Sequence, residues 1–272
     1  MSSFTFLIII AQSLSFGKRL VKKPFSGYSV SSEIGKGPNM IYVTADLHGI
    51  SLNSFQALLK RSGFSSNDFL FILGDVIDRG EFGAELLLWL TAQPNMQLIL
   101  GNHEAMLLCC SFLFEEVSND SLDRLTVEQL QLFQNWLQNG GGPTLSGLKK
   151  LLKTDSSLLY GILDYLQDSP LYETISAGGR DFILVHSGLG GFHPQKPLTA
   201  YSPEELLWAR PSLATLYYPN SLVVFGHTPT EYYGPAYKGA AIKTDTWICI
   251  DTGAALGMSP MVLRLDDLKE FY

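Results

Sequence analysis

Short apolar runs of strand length alternate with segments of helical period from Met40 onward. Between the runs, apolar side chains recur at helical spacing. Continuous apolar strands separated by helices are typical of buried, largely parallel sheets, so the pattern predicts an α/β fold. The strand-like runs are residues 40–45, 69–73, 97–100, 181–186, 222–226, 247–251 and 261–265, and the helical patterns are residues 52–61, 82–92, 103–117, 127–138, 156–167 and 203–208.

Two segments lie outside this alternation. Residues 1–39 are rich in Ser, Gly and Lys and show no clear period, which predicts a poorly ordered leader. Because Met40 opens the first strand, an upstream-start artefact is the alternative explanation for this leader. Residues 105–170 contain no strand pattern and predict a helical insertion, broken by the loop Asn139-Gly-Gly-Gly-Pro143. We therefore expect one α/β domain over residues 40–272.

The net charge, the cysteine content and the length of the first apolar run indicate which partners and which location to expect for the protein. The net charge is −7, and residues 40–272 carry −11, because the first 39 residues hold five basic side chains and one acidic one. Nucleic-acid affinity comes largely from neutralising phosphates, so we expect no nucleic-acid partner. Three cysteines without C-x-x-C spacing favour a cytoplasmic location. The apolar run at residues 4–11 is shorter than the roughly 20 residues that span a bilayer, so we expect no membrane partner.

Polar side chains follow five of the predicted strands at the point where each strand ends. Four of the five histidines in the chain lie in these loops. Each residue alone has an ordinary explanation: Asp75 and Asp78, for example, suit helix caps. Ligands, however, bind at the carboxyl ends of strands in such folds, and clustered buried polar groups are costly without a function. The loops are Asp46-Leu-His48, Gly74-Asp75-Val-Ile-Asp78-Arg79-Gly80, Gly101-Asn102-His103-Glu104, His186-Ser-Gly188 and Gly226-His227-Thr228.

The residue types in these loops point to metal-assisted hydrolysis. Carboxylate, amide oxygen and imidazole ligands suit Mn²⁺, Fe or Zn²⁺. In a two-metal site the ions lie roughly 3.5–4 Å apart, and they acidify water and clamp the attacking and leaving oxygens.

In this order, the five loop motifs resemble the phosphoprotein phosphatase branch of the calcineurin-like metallophosphoesterases. The resemblance spans Asp46 to Asp251. It is closest to bacterial and phage members, through the motif Trp136-x-x-Asn139-Gly140-Gly141 and the motif Leu206-Leu207-Trp208-Ala209-Arg210. It implies a four-layer αββα sandwich with a helical insertion, a catalytic domain over residues 40–272, and a dinuclear metal centre at one edge of the two sheets.

The resemblance also implies a role for each loop residue. Arg180 competes with Arg210 for the role of second phosphate-binding arginine, and Arg180 precedes a strand, at the end expected to face away from the site. Asp251 is expected to support the site without binding metal. Mn²⁺ is the expected metal, with Fe or Zn²⁺ as alternatives. The implied ligands are Asp46, His48 and a bridging Asp75 for one ion, and Asp75, Asn102, His186 and His227 for the other; His103 is the implied general acid, oriented by Asp78, and Arg79, Arg210 and Asn102 are the implied phosphate-binding residues.

By the same resemblance we expect a serine/threonine protein phosphatase, in which a metal-bridging hydroxide attacks a phosphoprotein in line, without a phosphoenzyme. Two alternatives stay open. One is a symmetrical bis(5'-nucleosyl)-tetraphosphatase, or another hydrolase of a small phosphoester, because that activity occurs on closely similar motifs. The other is a non-catalytic binding module, which we would expect to have lost a ligand or the acid. No residue of the motif set is missing here.

Overall fold

The computed structural model describes residues 39–115 and 126–272. The predicted leader, apart from Asn39, and residues 116–125 of the predicted insertion lie outside the described residues.

Within the described residues, ten strands form two five-stranded sheets. All seven strands predicted from apolar runs are present, and three further strands are added. The first sheet has the order β10-β9-β1-β2-β3, with β1 Ile41–Thr44, β2 Phe69–Ile72, β3 Met96–Leu98, β9 Val262–Arg264 and β10 Lys269–Phe271. The second has the order β4-β5-β6-β8-β7, with β4 Tyr172–Ala177, β5 Arg180–Val185, β6 Ser221–Phe225, β7 Ile242–Lys243 and β8 Trp247–Cys249.

Both sheets are mixed, so the expectation of largely parallel sheets is wrong at their edges. Strands β1, β2 and β3 run parallel to one another, as do β5, β6 and β8. Antiparallel pairs join β4 to β5, β7 to β8, β1 to β9 and β9 to β10. The additional strands β4, β7 and β10 are all edge strands, and each contains exposed positions that need no apolar side chain, so none shows a continuous apolar run.

Seven helices are described. Ser51 caps α1 through a hydrogen bond from the backbone N–H of Ser54, and Thr126 and Gln129 form a capping box at the start of α4. The predicted helix 103–117 ends earlier, at Cys109, and a short 3₁₀ turn follows over Ser111–Phe114. The helices are α1 Leu52–Ser62, α2 Gly83–Thr91, α3 Asn102–Cys109, α4 Val127–Gln138, α5 Gly142–Thr154, α6 Ser156–Asp168 and α7 Pro203–Leu207.

Three layers of apolar packing hold the elements together. Helices α1 to α6 cover the outer face of the first sheet, where Phe55 and Trp136 are fully buried. The two sheets pack face to face through side chains such as Val43 and Leu184. The outer face of the second sheet is covered by α7 and by loops that pack around Trp247. The order helix, sheet, sheet, outer layer confirms the predicted sandwich, with a fourth layer built mainly from loops.

Candidate active site

The loops that follow the parallel strands of both sheets meet at one edge of the sandwich. A backbone contact joins the sheets there: the His227 N–H donates to both carboxylate oxygens of Asp46, at 3.0 and 2.9 Å. The imidazole, amide and carboxylate groups at this edge are buried. The predicted site residues lie as follows: Asp46 and His48 after β1, Asp75, Asp78 and Arg79 after β2, Asn102 and His103 at the start of α3, His186 after β5, His227 after β6 and Arg210 after α7.

The backbone of these loops is strained. Seven non-glycine residues among the described ones have positive φ, a conformation that costs about 1–2 kcal/mol for an L-residue. Six of the seven are predicted site residues, and the seventh, Leu268, lies in the turn between β9 and β10. Such strain concentrates at functional sites, where the surrounding structure holds it in place. The six are Asp46, His48, Asp75, Asp78, Arg79 and His227.

One group of ligand atoms comes from both sheets. The Asn102 Oδ1 atom lies 2.7 Å from His186 Nε2 and 3.0 Å from His227 Nδ1. The two histidine nitrogens are 3.2 Å apart, and Asp75 Oδ1 lies 3.5 Å from His186 Nε2. Such spacing is typical of donor atoms that surround a single metal ion.

The backbone fixes which nitrogen of His186 faces this group. Its Nδ1 lies 2.8 Å from the carbonyl oxygen of Leu73, and a carbonyl only accepts, so Nδ1 carries the proton. Burial lowers the pKa of His186, so the ring is neutral and Nε2 presents a lone pair to the oxygens of Asn102 and Asp75. Without a cation these lone pairs repel one another, whereas a cation bound between the atoms would be coordinated by all of them. The donor set therefore fits a divalent metal.

His48 is oriented in the same way on the other side of Asp75. Its Nδ1 lies 3.1 Å from the carbonyl oxygen of Ile77, and burial lowers its pKa to about 3. The free Nε2 faces Asp75 Oδ2 at 3.7 Å. Asp75 belongs to both groups of side chains at this edge that could hold a metal ion, one with His48 and His103 and the other with His186 and His227. The bridging role of Asp75 stays a prediction.

Burial and neighbouring carboxylates disfavour the ionised forms of two carboxyl groups at the site. Burial raises the pKa of Asp46 well above its ordinary value, and the neighbouring carboxylates Asp251 and Asp75 raise it further. Burial also raises the pKa of Asp251 to about 7. Buried carboxylates this close together call for cations, as the sequence motifs predict. Among the described residues, Asp46 lies outside both groups of side chains close enough together to hold a metal ion, and its carboxylate accepts the His227 N–H.

His103 and Asp78 form a buried pair beside the metal-ligating groups. The ring Nδ1 of His103 donates to Asp78 Oδ2 at 2.7 Å, so Nε2 faces the ligands, 3.8 Å from Asp75 Oδ2 and 3.3 Å from an Arg79 nitrogen. Burial alone would lower the pKa of His103, but the carboxylates Asp75 and Asp78 outweigh burial and raise it. The raised pKa suits a proton donor, although the Arg79 guanidinium, which only donates, lies against Nε2 and opposes its protonation.

Two exposed arginines lie at the mouth of the site. Arg79 contacts His103, and Arg210 donates to the Thr228 hydroxyl at 3.2 Å, next to His227. Among the described residues, neither guanidinium has a carboxylate within 4.0 Å. Arg180, the competing candidate, begins β5 and so lies at the opposite end of the strand from His186.

Sequence analysis overlooked Glu104, a fully buried carboxylate that holds the Asp75 loop. One of its oxygens accepts the N–H groups of Asp75 and Gly101 at 2.8 and 3.1 Å. The other accepts the N–H groups of Val76 and Ile77 at 2.8 and 3.4 Å. The sequence signal was its position as the third residue of α3, where an acidic side chain commonly accepts free backbone N–H groups.

Comparison with known proteins identifies the family. The model of the calcineurin-like phosphoesterase family matches residues 40–231. The chain belongs to this family. The match includes every predicted site residue from Asp46 to His227.

Similar curated proteins are symmetrical bis(5'-nucleosyl)-tetraphosphatases. The protein of Acidovorax sp. (strain JS42) is 28% identical over 151 residues, 55% of this chain and 44% of its own length. That of Actinobacillus pleuropneumoniae serotype 3 (strain JL03) is 35% identical over 102 residues, 36% of this chain and 37% of its own length. The matches thus span less than half the length of these relatives.

Solved structures share the fold. A protein provisionally assigned as a diadenosine tetraphosphatase has a TM-score of 0.57 at 17% identity, over 87% of this chain and 94% of that one. A serine/threonine phosphatase from Saccharomyces cerevisiae with similarity to human phosphatase PP5 has a TM-score of 0.50 at 16% identity, over 92% of this chain and 77% of that one. Within the described part of this chain, the helices are all too short or too polar to cross a membrane.

Proposed function

We propose that this phosphoesterase cleaves its substrate with two divalent cations, for which Mn²⁺ is the first candidate and Fe or Zn²⁺ the alternatives. The observation that carries the proposal is the convergence of neutral imidazole nitrogens, an amide oxygen and buried carboxylates around Asp75. Bound cations supply an acidified water and neutralise phosphate charge. The proposed ligands are Asp46, His48 and Asp75 for one cation and Asp75, Asn102, His186 and His227 for the other.

The side chains around the ligands complete the reaction. His103 gives the Nε2 proton to the leaving oxygen, while Asp78 holds the ring through Nδ1. The guanidinium groups of Arg79 and Arg210 bind non-bridging phosphate oxygens, a role that suits their planar shape and permanent charge. The binding-module alternative is disfavoured, because the metal-ligating groups and the acid pair are all assembled at one edge.

Two substrate classes are supported by different observations. The named activity of the curated relatives favours symmetrical dinucleoside tetraphosphates, and we place this class first. Phosphoserine and phosphothreonine in proteins, the first expectation from the motifs, form the second class, and the fold shared with the yeast phosphatase is compatible with it. We also propose a cytoplasmic location, because three cysteines, two of them adjacent, do not provide a disulfide framework.

A paired initial-rate assay on Mn²⁺-supplemented protein distinguishes the two classes. We expect kcat/KM for diadenosine tetraphosphate to exceed that for a phosphothreonine peptide at least tenfold, about 1.4 kcal/mol of differential transition-state binding. The reverse preference would establish the protein phosphatase. Turnover of neither these substrates nor p-nitrophenyl phosphate would contradict the proposed activity.

A further inference from the structure

Trp136 contacts the acid pair from the helical segment, which we define as residues 126–168. Its indole N–H donates to Asp78 Oδ2 at 2.8 Å, the same oxygen that accepts the His103 ring N–H at 2.7 Å. The indole is fully buried, and Gly141 lies against its face so closely that any Cβ there would clash with the ring. Asp78 Oδ2 therefore accepts hydrogen bonds from two buried N–H groups, one of Trp136 and one of His103.

The other oxygen of Asp78 gives no support to the pair. Asp78 Oδ1 is buried and has no hydrogen-bond partner among the described residues. The terminal torsion of an aspartate is broad, so a carboxylate held at one oxygen by His103 alone would be free to rotate. The bond from Trp136 removes this freedom and fixes the direction from which the imidazole is held.

The same helical segment also holds the strained backbone of Asp78 and Arg79. The Asp78 N–H donates to the Thr144 hydroxyl at 2.9 Å, and the Arg79 N–H donates to the Gly140 carbonyl at 2.9 Å. Asp78 and Arg79 have φ of 69° and 67°, so two consecutive residues lie in the left-handed region. Trp136 is thus part of a set of contacts directed at this pair.

We propose that Trp136 is a positioning residue for proton donation: by sharing Asp78 Oδ2 with His103, it orients the imidazole toward the leaving oxygen. The proposal rests on the phosphoesterase activity proposed above. The residue does not touch substrate, and its effect is confined to the step that needs the proton. A purely structural role for Trp136 predicts equal losses with every substrate.

Leaving-group dependence tests the proposal. Phenyl phosphate releases an oxygen that needs a proton, and p-nitrophenyl phosphate needs one much less. For Trp136→Phe, we expect kcat on phenyl phosphate to fall about tenfold or more and kcat on p-nitrophenyl phosphate to fall less than about threefold, with KM and Mn²⁺ stoichiometry unchanged. Replacement of Trp136 by benzothienylalanine, which keeps the shape and removes the N–H, should give the same result if the phenylalanine variant folds poorly.

Two controls make the outcome specific. Trp247 is equally buried and donates its indole N–H to the Thr215 carbonyl at 3.0 Å, so Trp247→Phe loses a comparable bond on the outer face of the second sheet. We expect it to affect both esters equally. In a His103→Asn background, Trp136→Phe should cause no further loss, because its effect acts through His103.

The opposite results overturn the inference. Equal losses on both esters, or a full additional loss in the His103→Asn background, would leave Trp136 with a packing role only. An inactive Mn²⁺-supplemented wild type would contradict the proposed activity itself, and it is distinguished from failure of the inference because wild type and variants are measured together.

Discussion

At the scale of single residues, two backbone carbonyl groups determine which ring nitrogen of two histidines faces the proposed metal site. The carbonyl oxygens of Ile77 and Leu73 accept hydrogen bonds from the Nδ1–H groups of His48 and His186, which leaves both Nε2 atoms facing Asp75. Burial lowers the pKa of both rings, to about 3 for His48, so the neutral forms that can bind metal are favoured at neutral pH.

This burial makes stability depend on pH through His48. Its pKa is about 6.5 in an unfolded chain and about 3 in the fold, so below pH 6.5 the unfolded chain takes up a proton that the folded chain rejects. The stability that the neutral ring contributes is therefore present above pH 6.5 and is lost as pH falls. Between pH 7.5 and 5.5, metal-free wild type should lose about 1 kcal/mol relative to His48→Asn. Urea unfolding of both proteins in EDTA at the two pH values measures the difference, and parallel pH profiles would exclude this linkage.

One pair of variants distinguishes between the two candidates for the second phosphate-binding arginine. Arg210→Ala should lower kcat/KM about 10- to 100-fold, because an unpaired guanidinium at the mouth of the site is lost. Arg180→Ala should leave kcat/KM unchanged, because Arg180 lies at the far end of β5. Initial rates with p-nitrophenyl phosphate under Mn²⁺ decide the question, and a larger loss for Arg180→Ala would reverse the assignment.

At the scale of elements, α3 and the loop after β2 form one unit through Glu104. Its carboxylate accepts N–H groups of both segments, so Asp75, the proposed bridging ligand, is positioned by the first turn of the helix. The helix also presents Asn102 and His103, and the Asp75 carboxylate in turn accepts the His103 backbone N–H at 3.1 Å.

Glu104→Gln should destabilise the protein by about 2–3 kcal/mol. An amide has one acceptor oxygen and a donor group, so it leaves buried N–H groups of the loop without partners. Urea unfolding gives the value. Glu85→Gln, a change on the exposed side of α2, is the matched control and should have almost no effect. Equal midpoints for the two variants would mean that Glu104 does not hold the loop.

Helices and strands with a clear pattern of apolar residues could be predicted from the sequence. Elements whose formation depends on tertiary contacts could not. The central strands are continuous apolar runs, and Ser51 and Thr126 mark helix starts, so β1, α1 and α4 are close to their predicted bounds. The sequence analysis missed α5, because Gly142 and Pro143 suggest a loop although a proline in the first turn is compatible with a helix.

The same distinction applies to the site. Polar residues at strand ends identified the loops after β1, β2, β5 and β6 as the site. Burying carboxylate and imidazole side chains costs free energy, so their clustering at buried strand ends indicates a function. The roles of Glu104, Trp136 and Thr144 depend on which loop each one meets in the fold, and sequence spacing carries no such information.

At the scale of the whole molecule, the site joins the two sheets. Asp75 and Asn102 come from the first sheet side, and His186 and His227 come from the second. Metal bound by all four would therefore add a link between two sheets that also meet through apolar packing and through the hydrogen bond from the His227 N–H to Asp46.

Metal should consequently stabilise the folded protein. At a free Mn²⁺ concentration 100 times its Kd, we expect about 2.7 kcal/mol of added stability and a rise in Tm of several degrees. EDTA should abolish the rise. Asp75→Asn should show little of it, because one carboxylate serves both groups of ligands. Differential scanning calorimetry with and without Mn²⁺ measures the shift, and an undiminished shift in Asp75→Asn would contradict the shared ligand.

The hydrogen bond from His227 to Asp46 connects positions 181 residues apart, and this separation sets an order of events during synthesis. When Asp46 leaves the ribosome, the partners that complete its surroundings have not been translated. The pairing of strand β1 with its antiparallel neighbour β9 forms later still, because β9 begins only at Val262. The proposed set of metal ligands, which ends at His227, is therefore complete only after most of the domain has been translated.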